Sequence, residues 1–250
     1  MRYITFTNKG SLEICKNFLL SARNVGIEED ITVYTLDEDS MNELQGYNCK
    51  LESFSSDINE EYHSYGSKEF KTLMTTKVEI ILKNLEEHDE FVYTDCDMVL
   101  LEDPTDKLIM FNDLLSNDYD WDITFANDAL DEEQGQERLC AGFMYIKNTE
   151  ETKKFLEETL ELSILAINDN NPDTCDQIIM RTILSSPEQM PNFVHAIFPI
   201  TFITNGHFYF SENIRRNESV VHCNFRMGTH DKINSMKEAG IWYLPEHAEV

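Results

Sequence analysis

The chain has 250 residues, 41% of them hydrophobic, which suits one compact domain with a core of its own. It carries 20 basic and 47 acidic residues, a formal net charge of −27. That balance excludes an electrostatic grip on nucleic-acid backbones or anionic membranes, and it admits a nucleotide diphosphate only with a cation between them.

Arg2 to Thr7 is a short apolar-rich run that reads as a strand rather than a signal peptide, and it ends in Asn8-Lys9-Gly10. Ser11 opens a helical pattern with Leu12, Cys15, Phe18, Leu19 and Ala22 on one face, and Gly26 closes it. Ile31 to Leu36 is a β-branched run, so strand, helix and strand follow one another as in a βαβ unit of a parallel sheet. Residues 40–66 are polar and poorly periodic and predict a loop, with at most a short strand. Phe70, Leu73, Met74, Val78, Ile81, Leu82 and Leu85 then form one apolar stripe of a helix. Phe91 to Thr94 reads as a buried strand, and a second apolar run follows at Met98 to Leu101. Trp121 to Ala126 and Ala141 to Ile146 predict further strands, 150–166 and about 175–185 predict helices, and Ser219 to Cys223 predicts a last short strand. With no repeat or Gly/Ser linker, the sum is one α/β domain over residues 1–250 with an irregular C-terminal third. No apolar stretch reaches the roughly 20 residues of a membrane span. The six cysteines, Cys15, Cys49, Cys96, Cys140, Cys175 and Cys223, contain no CxxC pair, so reduced thiols in a cytoplasmic setting are expected.

Asp-x-Asp occurs four times, at Asp37/Asp39, Asp95/Asp97, Asp118/Asp120 and Asp120/Asp122. Only Asp95/Asp97 sits directly between two apolar strand-like runs. A parallel sheet binds ligands beyond the carboxyl ends of its strands, and residues i and i+2 of an extended segment face one side. Two carboxylates there suit Mg²⁺ or Mn²⁺, which take hard oxygen ligands together with substrate phosphates. Turn aspartates between two strands are the bland alternative. An apolar strand before Asp-x-Asp-x-Val also resembles the nucleophile motif of haloacid-dehalogenase phosphatases, with Asp95 attacking phosphorus. That family carries the motif near the start of its domain, whereas here about 90 residues precede it. A non-enzymatic acidic metal-binding module is the third reading.

Seven segments occur in order: Thr5-Phe6-Thr7-Asn8-Lys9-Gly10; Phe70 to Lys77; Tyr93-Thr94-Asp95-Cys96-Asp97; Ala141-Gly142-Phe143-Met144; Asp176-Gln177; Phe202 to Asn205-Gly206; and His222-Cys223-Asn224 with Gly228 and Lys232. Together they resemble the nucleotide-diphospho-sugar transferases of glycosyltransferase family 77, with landmarks shared with family 8. The resemblance implies a GT-A (Rossmann-like) fold: a mixed, mainly parallel central sheet flanked by helices. Residues 1–105 would be a nucleotide-binding half and 106–250 an acceptor half with the C-terminal metal and diphosphate segment. It implies transfer of a sugar from a UDP- or GDP-linked donor to a glycan or protein-linked sugar acceptor, with retention. By the same resemblance Asp95, Asp97 and His222 hold Mn²⁺ or Mg²⁺, and Thr7 and Asn8 lie against the nucleoside. Lys77, Cys96, Ala141, Gly142, Asn205, Gly206 and Gly228 belong to the donor site. Lys232 meets the diphosphate, Asp176 binds sugar hydroxyls, and Gln177 sits beside the anomeric carbon. Cys140 stands where related enzymes often carry Asn.

The residues themselves also permit plainer readings. His222 lies in an apolar run and would serve equally as a core histidine, and His230 is a competing ligand in a polar turn. Thr174-Cys175-Asp176-Gln177 reads as a capping box with Thr174 as N-cap. Lys77 fits a solvated helix face, Asn205-Gly206 a tight turn, and Cys96 a thiol turned to the core. Trp121 and Trp242 fit core or edge positions, Trp242 also the acceptor side.

Overall fold

The chain starts with the βαβ unit that its pattern predicts. Tyr3–Thr7 (β1) is buried throughout, Leu12–Val25 (α1) packs its apolar stripe against it, and Ile31–Thr35 (β2) pairs in parallel beside β1. Gly26 ends α1 at φ +87°, a left-handed position that glycine adopts without a Cβ penalty. The computed structural model describes residues 1–55, 63–116, 121–130, 138–169, 171–186, 188–211 and 218–245; Asp118 and Asp120 lie outside them.

The described part of the polar 40–66 stretch, residues 40–55 and 63–66, is more ordered than expected. Asp37 caps Glu38–Leu44 (α2) by accepting from the Ser40 N–H, and Lys50–Ser53 (β3) adds a parallel edge strand beside β2. A helix this short buries little, so its apolar period is too faint to read.

Ser67 caps Lys68–Leu85 (α3), which leads into Glu90–Thr94 (β4). Ile123–Asn127 (β6) and Leu139–Lys147 (β7) come next in the main sheet, and His195–Ile197 (β8) closes its far edge. The order is β3-β2-β1-β4-β7-β6-β8. β7 runs antiparallel to both neighbours, while the other pairs are parallel. The carboxyl ends of β1, β4 and β6 therefore share one edge with the start of β7. Met98–Leu100 (β5) does not continue that sheet. It pairs antiparallel with Val220–His222 (β10), which pairs in parallel with Ile203–Asn205 (β9).

Helices cover both faces. One core layer joins α3 (Val78, Ile81) to Phe155 and Leu156 of Glu150–Ala166 (α5) and to Ile179 and Met180 of Asp176–Leu184 (α6). The opposite layer joins α1 to Leu108 of Thr105–Ser116 (α4) and to Trp121, which is buried as expected. A third cluster lies under β5 and β10, where Met236 of Gly228–Glu238 (α8) packs with Ile241 and Trp242. The C-terminal third is thus built from short elements, Gly206–Ser211 (α7) among them, and Trp242 joins a core rather than the acceptor side.

Lys71 ties α3 to the end of α5. Its buried Nζ donates to the carbonyls of Ala166, Asp169 and Asn171 at 3.3, 2.7 and 2.7 Å. Replacing it by Met strips partners from these carbonyls. Urea unfolding is expected to show a loss of about 2–3 kcal/mol for Lys71→Met.

Candidate functional site

β4 delivers Thr94 to the sheet edge, and the chain turns through Asp95-Cys96-Asp97 into β5. The two carboxylates do not face one side of an extended segment, as the spacing suggested; they converge because the chain turns between them. β10 brings His222 to the same point, since it pairs with β5 and its last residue lies opposite Met98. Ligand atoms of Asp95, Asp97 and His222 all lie within 4.8 Å of one another.

Each side chain is held from behind. Tyr93 donates its hydroxyl to Asp95 Oδ1 at 2.7 Å, and Lys77 Nζ stands 3.4 Å from the same oxygen. Asp95 Oδ2 is then turned towards His222, where a Cβ built on Gly142 would collide with both groups. Glycine is required at 142 by this close approach. Asp97 Oδ2 accepts from Lys232 Nζ at 2.6 Å, while its buried Oδ1 has no hydrogen bond and faces His222 Nε2 at 3.2 Å. A buried orphan oxygen beside a second carboxylate and an imidazole fits a divalent cation of the hard or borderline class.

The charges lock one another. Burial opposes the ionised forms of Asp97, Lys232 and His222, yet mutual attraction outweighs it. Lys232 and His222 hold Asp97 well below the usual carboxylate range, and Asp97 raises both cations. Lys77 is only 2% exposed and Asp176 only 3%, at 2.8 Å. Burial opposes the Lys77 charge, but Asp176 and then Asp95 push its pKa up. The solvated-face reading of Lys77 is therefore wrong: i+7 along α3 from Phe70 it points inward.

A cavity of about 540 Å³ opens in front of these groups. Asn8, Lys77, Asp95, Cys96, Asp97, Gly142, Asp176, Gln177, His222, Gly228 and Lys232 line it. Four expected donor contacts do not. Thr7 is buried against Ser11, Ala141 packs in the core, Asn205 bonds the carbonyls of Asn127 and Ala129, and Gly206 binds the Asn224 amide. His230 is exposed beside Asn234 and away from the cluster. The capping box is also displaced. Cys175 is the N-cap of α6, and the Gln177 side chain accepts from the Ala141 N–H at 3.0 Å instead of folding back.

Asp128 is a lining residue that the sequence reading passed over. It follows β6, on the edge shared with β1 and β4, and accepts from Gln177, Arg181 and Asn224 at 3.1, 3.0 and 3.0 Å. The signal was present, because an apolar strand ending in Asn127-Asp128 obeys the same strand-end rule as Asp95.

The strand order, the single reversed strand β7 and the carboxylate pair at the end of β4 define the GT-A class of α/β fold. The chain belongs to the nucleotide-diphospho-sugar transferase family, whose profile matches residues 27–236. It is 26% identical over 210 residues to the UDP-galactose:fucoside alpha-3-galactosyltransferase of Dictyostelium discoideum, covering 74% of this chain and 30% of that protein. It is 25% identical over 206 residues to the UDP-D-xylose:L-fucose alpha-1,3-D-xylosyltransferase 3 of Arabidopsis thaliana, covering 74% and 51%. The aligned region thus spans about half or less of these relatives. Among solved structures, galactosyltransferase LgtC with donor and acceptor sugar analogs superposes with a TM-score of 0.56 at 12% identity over 98% of both chains. A glycosyltransferase involved in glycosylation of the major capsid of PBCV-1 gives 0.58 at 12% identity, over 96% of this chain and 98% of that one. At such identity the likeness is one of fold. The family match sets aside the phosphatase reading of Asp95.

Two outcomes follow from the charge lock. Lys77→Met leaves Asp176 buried and unpaired and should cost about 3–5 kcal/mol, largely restored in Lys77→Met/Asp176→Leu, by chemical denaturation. His222 must lose a proton to ligate, and Asp97 raises its pKa in the free site, so protons compete with the metal. Metal affinity should rise with pH across the neutral range, and calorimetry in buffers of different ionisation enthalpy should detect proton release on binding.

Proposed function

We propose that the chain transfers one sugar from a UDP- or GDP-linked donor to a hydroxyl of a glycan or protein-linked sugar, with Mn²⁺ or Mg²⁺ held by Asp95, Asp97 and His222. The observation that carries this is the meeting of those three side chains at the wall of the cavity that lies at the β1, β4 and β6 strand ends. Two relatives are named for UDP-sugar donors and fucose or fucoside acceptors, so UDP-linked galactose or xylose and a fucoside are the first substrates to try.

A bound cation supplies Lewis acidity to the leaving diphosphate. The rest falls to side chains. Lys232, kept charged by Asp97, is placed to meet the diphosphate and offset its growing charge. Asn8 and Gly228 line the nucleotide end of the cavity. Lys77 fixes Asp95 and Asp176 together, so Asp176 is an oriented acceptor for sugar hydroxyls. Its buried ion pair makes it a poor nucleophile, so for a retaining transfer front-face substitution is favoured over a covalent glycosyl-enzyme route. Gln177, braced by Ala141 and Asp128, presents its amide to the anomeric side. Residues 1–105 supply the nucleotide half, and 106–250 supply the acceptor half and the diphosphate lysine. No helix of the described residues is long and apolar enough to cross a membrane. The six free cysteines support the reducing, cytoplasmic setting proposed for the chain.

Asp97→Asn removes a ligand charge while keeping the shape. UDP release from UDP-galactose or UDP-xylose in the presence of a fucoside and Mn²⁺ should fall by about 100-fold or more; the thermal midpoint should drop as Lys232 loses its anion, and circular dichroism at the assay temperature checks that the variant is still folded. Undiminished, metal-independent turnover by that variant would remove the proposal.

A further inference from the structure

His222 faces the carboxylate cluster through Nε2. Its other ring nitrogen, Nδ1, lies 3.5 Å from Cys140 Sγ, a hydrogen-bond distance for sulfur. Both residues are buried, at 5% and 3% exposure. An imidazole that ligates through Nε2 carries its proton on Nδ1, and a buried N–H donor requires an acceptor. Among the described residues, the Cys140 thiol is the partner found for it.

The backbone explains how Cys140 gets there. β7 pairs with β6 up to Met144↔Phe125, then the register jumps to Cys140↔Ala126. The irregularity spans residues 141–143, while β7 stays bonded to the end of β4 through the Gly142 carbonyl and the Asp95 N–H, 2.7 Å apart. Cys140 and Gly142, two apart on one strand, both line the cavity and both reach His222: Gly142 by close approach to Cε1 and Nε2, Cys140 at Nδ1. The ring is thereby held on two sides by one strand. The Cys140 thiol is not among the ligand atoms of Asp95, Asp97 and His222 that converge there.

We infer that Cys140 is the positioning residue that fixes the tautomer and ring plane of His222 so that Nε2 is free to bind the cation. The inference rests on the cation site proposed above. Outer partners of this kind tune ligand affinity, and their loss weakens metal binding without removing a ligand. A thiol is a weaker acceptor than a carbonyl or carboxylate, and it orients the ring without adding a charge.

The test titrates the full chain with Mn²⁺ in the presence of UDP and follows free Mn²⁺ by electron paramagnetic resonance. Cys140→Ala should weaken Mn²⁺ binding roughly 10–100-fold, while Cys140→Ser, which keeps an acceptor, should stay within about threefold of the parent. Cys49→Ala, which does not line the cavity, should bind as the parent does. Thermal midpoints check that each variant is folded. If the parent binds no Mn²⁺ with UDP, the cation site falls and takes this inference with it. If the parent binds and Cys140→Ala binds equally well, or Ser is as weak as Ala, only the inference is overturned. A measurement without variants stands beside it: ¹⁵N imidazole spectra of the Mg²⁺–UDP complex should show His222 protonated at Nδ1, and a proton on Nε2 would refute the assignment.

Discussion

The arrangement depends on two ammonium groups, Lys77 buried and Lys232 half-buried, set among carboxylates. In a chain of net charge −27, the sheet edge would be the worst place to gather Asp95, Asp97, Asp128 and Asp176 without compensation. Lys77 comes from α3 and meets both Asp95, at the end of β4, and Asp176, at the start of α6. Lys232 comes from α8 and meets Asp97. Taking an ammonium out of water costs several kcal/mol, and only close, well-aimed partners offset it. The two lysines therefore pin three helices to one turn, and the cavity is the space left between them.

This explains which parts of the molecule could be read from the sequence. The βαβ start, α1 with its Gly26 stop, α3, β4 and α5 rest on long apolar periods that tertiary packing only reinforces, and their predicted extents agree with the structure to within about two residues. α2, β3, β8 and β9 are short, half-polar or both, and no period survives over so few residues. The convergence of Asp95 and Asp97 was foreseen for a partly mistaken reason, since a turn rather than an extended strand brings them together. The burial of Lys77 could not be seen at all from its helix, because its partners lie about 20 and 100 residues away in sequence.

Two of the four expected donor residues that do not line the cavity, Thr7 and Ala141, share one cause. Phe6 and Asn8 line the cavity and Thr7 does not; Cys140 and Gly142 line it and Ala141 does not. Successive side chains of a strand alternate between faces, so a motif carried across as a block of neighbours assigns half its members to the wrong side. Thr7 turns to α1 and bonds Ser11, and Ala141 joins the core layer under α3 and α6. The backbone of each still serves the site: the Ala141 N–H fixes Gln177, a role that a side-chain reading cannot assign. Asn205 and Gly206 are another case, because they brace Asn224 and the 127–129 segment from behind the cavity.

The same crowding bears on which ion the site takes. Three thiols, Cys96, Cys140 and Cys223, lie within two residues of a ligand or in contact with one, and thiolates would favour soft metals over Mn²⁺ or Mg²⁺. Metal ligation needs the thiolate, and for Cys96 and Cys223 burial keeps it from forming. Burial, with Asp97 and Asp95 beside it, pushes Cys96 up to about 12, and burial likewise raises Cys223. Cys140 is not among the converging ligand atoms. What remains within reach of one another is two carboxylate oxygens and one imidazole nitrogen. Burial, reinforced at Cys96 and Cys223 by Asp97, keeps those two thiols protonated, so the ligand atoms that meet at the end of β4 are oxygen and nitrogen, a set suited to a hard or borderline cation rather than a soft one.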